Sequence, residues 1–151
     1  MRKAFVISST ALLVVFALQF VFAAVGAFTK PQADSSYALH SLTGMAVIPV
    51  LILLTTLFAV LAKAPGRLVG LTILPLGLTI LQVLLAVLAN GFTDASGGST
   101  VAGLIVGGLH AVNGIVAVHV VVAVVRGASR LAQPAQAVRA DSASTSTVDV
   151  A

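Results

Sequence analysis

The sequence predicts an all-α membrane protein: a four-transmembrane-helix bundle of two helical hairpins in parallel repeat, with both termini on the cytoplasmic side. Three observations carry that expectation. Four uncharged apolar stretches, at about residues 4–28, 38–62, 68–90 and 101–125, each reach the ~20 residues that a helix needs to cross a bilayer core. The basic residues lie almost entirely on one side of those stretches. The two halves of the chain also carry the same polar residues at matching places.

Composition supports a lipid solvent. Only 8% of the 151 residues are charged and 59% are hydrophobic, whereas a soluble domain carries roughly 25% charged residues. Such a chain has too little polar surface to cover a globule. Helices are the open segments that satisfy their own backbone hydrogen bonds in lipid, so the long Val, Leu and Ala runs are assigned as helices and not strands.

The first stretch follows Arg2 and Lys3. Its basic start and the small residues at Ala24–Ala27 suggest a signal peptide, but its apolar run exceeds the roughly 7–15 residues of a signal core, and it has a partner in the repeat. It is read as a true span. The second stretch contains Pro49, which removes a backbone donor and is expected to bend the helix. Lys63-Ala64-Pro65-Gly66-Arg67 makes a short turn into the third stretch. Asp94 and the Gly97-Gly98 pair mark the loop before the fourth. Residues 1–130 thus form the transmembrane domain. The remaining segment, 131–151, is rich in Ala, Ser and Thr and is expected to be a disordered cytoplasmic tail.

Charge sets the direction of insertion. Arg2, Lys3, Lys63, Arg67, Arg126, Arg130 and Arg139 fall on one side; the other has Lys30 with Asp34, and Asp94 alone. The positive-inside rule puts the termini and the 63–67 turn in the cytoplasm of a multi-pass cell-membrane protein. The basic residues sit singly at the ends of apolar runs, so nucleic acid is not an expected partner.

Several chemistries are excluded. There is no Cys, hence no disulfide, thiolate metal site or cysteine nucleophile. There is no Glu, and Asp34, Asp94, Asp141 and Asp149 all lie outside the apolar runs, so no carboxylate pair is available within the membrane. No charged residue lines a span, which argues against ion coupling. No catalytic set is visible, and a non-enzymatic role is the expectation.

The repeat aligns the remaining polar residues. Leu18-Gln19 in the first span answers Leu81-Gln82 in the third, with Ala23 and Ala86 four residues after each Gln. Both spans end near a Phe-Thr pair, Phe28-Thr29 and Phe92-Thr93. Leu39-His40-Ser41-Leu42-Thr43-Gly44 answers Leu109-His110-Ala111-Val112-Asn113-Gly114. Related by an axis along the membrane normal, His40 and His110 would face each other across the bundle. Gly103, Gly107, His110, Gly114 and Ala117 share one face of the fourth span by helical spacing.

Depth agrees less well. His110 lies 16 residues before Arg126 and His40 lies 23 before Lys63, a mismatch of ~10 Å at 1.5 Å per residue. Either the second helix projects into the cytoplasm, which keeps the histidines level, or His40 sits closer to the outer surface; tilt or a bend at Pro49 would absorb part of the difference.

Two readings of the pair stand side by side. In one, His40 and His110 ligate the iron of a b-type haem that passes electrons to a redox partner. Gly44 and Gly114 then make room for the porphyrin, while Gln19, Gln82, Asn113 and Thr43 orient the imidazoles. Lys30 or Tyr37 would meet its propionates. In the other, no cofactor is bound and the His and Gln side chains are interhelical hydrogen-bond struts of a structural or accessory protein. A small carrier or a quinone-binding subunit is a third possibility. His119, nine residues beyond His110, points to the opposite face, and the Gly103–Gly107 spacing suits a homo-oligomer contact as well as internal packing.

At these residues the chain resembles a set of small actinobacterial four-helix membrane proteins with no known activity, over about residues 1–130. The shared features are the early Leu18-Gln19, the Leu39-His40-x-x-x-Gly44 stretch and Leu109-His110-x-x-Asn113. More distantly, it is similar to one half of haem A synthase, a four-helix unit with a histidine ligand on its second and fourth helices. That resemblance implies His40 and His110 as haem ligands. Tyr37 stands where that enzyme's motif has an acidic residue, and only one half is present, so haem A synthesis itself is not implied.

Overall fold

The computed structural model describes residues 1–133. Among them the chain forms four helices long and apolar enough to cross a membrane: α1 (Arg2–Phe28), α2 (Ser35–Leu61), α3 (Gly66–Gly91) and α4 (Val101–Ala132). No sheet accompanies them beyond an isolated antiparallel bridge between Thr93 and Ser99. The segment expected to be a tail falls, from residue 134 on, outside the described residues.

Each helix follows from its sequence. α1 has no proline and no charge past Lys3, and it ends where Thr29 Oγ1 donates to the Val25 carbonyl at 2.7 Å. Gln32 Nε2 then donates to the carbonyls of Gly26 and Ala27 at 2.9 and 3.1 Å, occupying groups that the helix end leaves free. α3 starts directly after Pro65, whose missing N–H costs nothing at a helix start. Thr100 caps α4, its Oγ1 accepting from the Gly103 N–H at 3.1 Å. In the 92–100 loop, Asp94 Oδ1 accepts from the Ser96 N–H, the Ser96 hydroxyl and the Gly98 N–H. Those bonds, led by the Ser96 hydroxyl, hold the carboxyl below its ordinary pKa.

α2 is composite. A 3-10 turn (Asp34–Tyr37) leads into five α-helical residues (Ala38–Leu42), a π-helical turn (Thr43–Val47) and a second α-helical section (Ile48–Leu61). Pro49 offers no N–H to the preceding turn and crowds the carbonyl four residues back. The wider π turn takes up that crowding, with the Ile48 N–H reaching back to the Thr43 carbonyl.

The helices pack as a ring in which each touches its neighbours in sequence and α4 closes on α1. α1 lies diagonal to α3, and α2 diagonal to α4. At the end of the bundle nearest Met1, Phe5, Ala59, Ala62, Val124 and Ala128 form one buried cluster. Leu12, Phe16, Ile48, Ile52, Ala117 and Val121 form another at mid-bundle. Outward, large apolar side chains such as Ile7, Leu53, Leu84 and Leu104 are exposed on every helix. Contiguous apolar surface on that scale has no place in water; it suits the lipid of a bilayer.

The repeat persists in three dimensions. Ile48, Ile52, Thr55 and Ala59 of α2 are buried with the same 4-3-4 spacing as Ala117, Val121, Val124 and Ala128 of α4. Yet eight positions separate His40 from Ile48 and seven separate His110 from Ala117. The π turn in α2 absorbs that one extra residue, so both the histidine and the core stripe face inward. In α1 and α3, buried Ser9 and Thr72 sit ten residues before Gln19 and Gln82 and donate to the equivalent carbonyls of Val6 and Val69.

The depth mismatch inferred from charges disappears. His40 precedes the end of α2 at Leu61 by 21 residues, and His110 precedes the end of α4 at Ala132 by 22. Arg126 does not end its helix, which runs on for more than a turn; a long basic side chain reaches the interface from within a span.

Candidate functional site

Past the mid-bundle cluster the helices do not close on one another. They enclose a cavity of about 380 Å³, within the range of small-molecule sites. The repeat lines it in pairs: Gln19 with Gln82, His40 with His110 and Gly44 with Gly114. Phe16, Phe20, Ile48 and Met45 add an apolar wall on the α1–α2 side. These wall residues lie one helical turn or less from the polar pairs. That periodicity alone would have found Phe16 and Phe20, whereas the contribution of Met45 depends on the π turn.

The two histidines meet across the α2–α4 diagonal, with ring centroids 6.3 Å apart and planes inclined at 51°. Each is held by the neighbouring helix in the same way. His40 Nδ1 lies 3.1 Å from the Gln19 backbone carbonyl, and His110 Nδ1 lies 2.9 Å from that of Gln82. A carbonyl only accepts, so Nδ1 donates in both rings and Nε2 is the ring nitrogen left without a protein partner. In return, Gln19 Nε2 donates to the His40 carbonyl at 3.1 Å and Gln82 Nε2 to the His110 carbonyl at 2.8 Å. The rings are thus oriented by backbone carbonyls, and the glutamine amides grip the opposite backbone and not the imidazoles.

The glycines serve that grip. A Cβ on Gly44 would lie 2.6 Å from Gln19 Nε2, and one on Gly114 would lie 3.2 Å from Gln82 Nε2. Their smallness lets each amide lie across the facing helix.

Symmetry ends at the next residue. Asn113 Nδ2 donates to Gln82 Oε1 and, at 2.9 Å, to the Leu78 carbonyl. Its counterpart Thr43 makes no side-chain hydrogen bond among the described residues, and Gln19 Oε1 is buried without a donor.

Other sequence-predicted positions lie elsewhere. Tyr37 packs against Gly26, where its ring would stand 2.5 Å from an added Cβ, and neither it nor Lys30 lines the cavity. His119 is exposed on the outer face of α4 and its Nδ1 is 2.8 Å from the Ile115 carbonyl of its own helix. Gly103 is covered within the chain by the Phe92 carbonyl, 2.7 Å from an added Cβ, while Gly107 meets nothing within 4 Å. No third His, Asp or Glu joins His40 and His110 among the described residues. The pair therefore offers two imidazole nitrogens and no further ligand among the described residues.

Fold and site together define a multi-pass four-helix membrane protein with a histidine-lined internal cavity. Residues 19–90 match the model of a family of unknown function, DUF6220. The match takes in Gln19, His40, Gly44 and Gln82 and ends before His110. No curated protein and no solved structure matches the chain, and none of these comparisons bears on haem A synthase.

Proposed function

We propose that this chain is a cell-membrane protein, with both termini cytoplasmic, that holds one b-type haem between His40 and His110 and passes electrons to a redox partner or quinone. The observation that carries the reading is the separation of the two rings. A first-row metal binds an imidazole nitrogen at about 2.0–2.1 Å and the ring centre lies about 1.1 Å beyond, so two imidazoles on opposite sides of one metal have centres roughly 6.3 Å apart. The rings here are 6.3 Å apart.

The donor set supports the same reading. Two protein nitrogens leave a zinc ion short of its usual four ligands, whereas a porphyrin brings four nitrogens of its own. Both Nδ1–H groups are engaged by carbonyls, the arrangement that fixes the tautomer of a metal-binding histidine and raises its basicity. When bound, the haem would supply one-electron chemistry. The chain's part would be to supply the two imidazoles from opposite corners of the bundle and keep lipid-like walls around them. Mid-bundle packing of Leu12, Phe16, Ile52 and Val121 seals the cavity from the Met1 end.

A second reading is favoured by a specific observation. The reciprocal Gln–His bonds join α1 to α2 and α3 to α4 directly, as interhelical struts would. The two are separated by absorption spectra of detergent-purified protein expressed with ample haem, oxidised and then reduced with dithionite. The haem reading expects a sharp reduced α-band that His40→Ala and His110→Ala each abolish. A featureless spectrum, with the protein folded by circular dichroism, leaves the struts.

A further inference from the structure

We infer that the two histidine arms are mechanically unequal, and that His40 is the ligand that yields its place to a small gaseous ligand while His110 stays bound. The inference rests on the haem reading and deepens it.

Four observations set the arms apart. First, the His110 arm is tied down by four side-chain hydrogen bonds between α3 and α4, because Asn113 anchors the Gln82 amide and the Leu78 carbonyl as well. The His40 arm has two, between α1 and α2. Second, the position equivalent to Asn113 is Thr43, which leaves Gln19 Oε1 buried and without a donor. Third, His110 sits within an unbroken helix of 32 residues, whereas His40 sits in a five-residue α-helical section between a 3-10 turn and a π turn. Helix ends and π turns are where backbone hydrogen bonds rearrange most readily. Fourth, the Ala38–Leu42 section packs on α1 and its own flanking turns, and the substantial α2–α3 contact begins only beyond it. Ser41 and Met45, both lining the cavity, are exposed on that side.

A movement of α2 at the π turn therefore withdraws His40 Nε2 with few bonds broken. The same movement of His110 would disrupt a continuous helix and the Asn113–Gln82 network. With a reduced haem held between them, His110 would be the ligand that stays and His40 the one whose place carbon monoxide takes, an exchange of one neutral donor for another that needs no oxidant and no proton. The ligand class is a neutral diatomic of that kind, which partitions into lipid and enters beside Ser41 and Met45.

The test uses carbon monoxide as probe on the reduced, haem-loaded full chain, with amide hydrogen exchange on the haem-free chain as an independent measurement. The expected result is a Soret shift under carbon monoxide in the wild type. In Thr43→Asn, which supplies Gln19 Oε1 with the donor that Gln82 has from Asn113, the apparent affinity should fall about tenfold or more. Haem-free protein should exchange amides of 38–47 faster than those of 108–117, with Thr43→Asn narrowing the gap. A reduced α-band with no carbon monoxide shift overturns this inference and leaves the haem reading standing. Equal exchange of the two segments, or unchanged affinity in Thr43→Asn, also overturns it. Absence of any α-band removes the haem reading and this inference together.

Discussion

Replacing each cavity glutamine by methionine should reveal how unequal the two arms are. Methionine keeps the length of the side chain and removes its amide. In Gln82→Met two interhelical hydrogen bonds go: the donation to the His110 carbonyl and the acceptance from Asn113. Bonds of this kind average about 0.6 kcal/mol in membrane bundles with a maximum near 1.7. The loss is therefore about 1–2 kcal/mol, with Asn113 still held by Leu78. Gln19→Met also removes a donation, to the His40 carbonyl. It deletes a buried carbonyl oxygen without a donor as well, and such an orphan costs about 1–3 kcal/mol. The terms oppose one another, and the variant should stay within about 0.5 kcal/mol of wild type or gain slightly. Reversible unfolding of the haem-free chain in mixed micelles, titrated with dodecyl sulfate and followed by circular dichroism, reads the difference directly. A cost for Gln19→Met equal to or above that of Gln82→Met would refute the reasoning.

Two further outcomes are expected. Gly44→Ala places a methyl 2.6 Å from Gln19 Nε2 and should break its bond to the His40 carbonyl, whereas Gly114→Ala needs a shift of only a few tenths of an ångström from 3.2 Å. The unfolding titration should therefore show the larger loss for Gly44→Ala, by about 0.5–1 kcal/mol; the reverse order would mean that the amides do not lie as described. Because the chain has no Cys, single-cysteine variants report its orientation cleanly. Ala95→Cys should react with an impermeant maleimide on intact cells and Arg67→Cys only after permeabilisation, and the opposite pattern would invert the proposed topology.

Much of the architecture was legible in the sequence. Apolar run length alone locates the four helices, because a bilayer demands about 20 residues per crossing and a helix is the way to satisfy a lone backbone there. The matching Gln and His positions are visible in the sequence, and the structure gathers Gln19, Gln82, His40 and His110 around one cavity. Their partners were not legible. An imidazole's hydrogen bond to a backbone carbonyl on a neighbouring helix leaves no trace in residue identity, so the role of Gln19 and Gln82 as backbone clamps emerges only from the packing. Arg126 misled the depth estimate because a charge marks where a side chain meets the interface, not where its helix stops.

What the sequence determined by itself is the number of spans, the repeat and the residue types that the cavity has to hold. These follow from local properties, hydrophobic length and spacing, that hold whatever the neighbours do. What only the tertiary structure decided is the 6.3 Å meeting of the rings and the one-residue π insertion that lets His40 share an inward face with Ile48. The inequality of Asn113 and Thr43 across the pseudo-twofold belongs with them. Each depends on where one helix lies against another, and that is set by side-chain packing across the whole bundle.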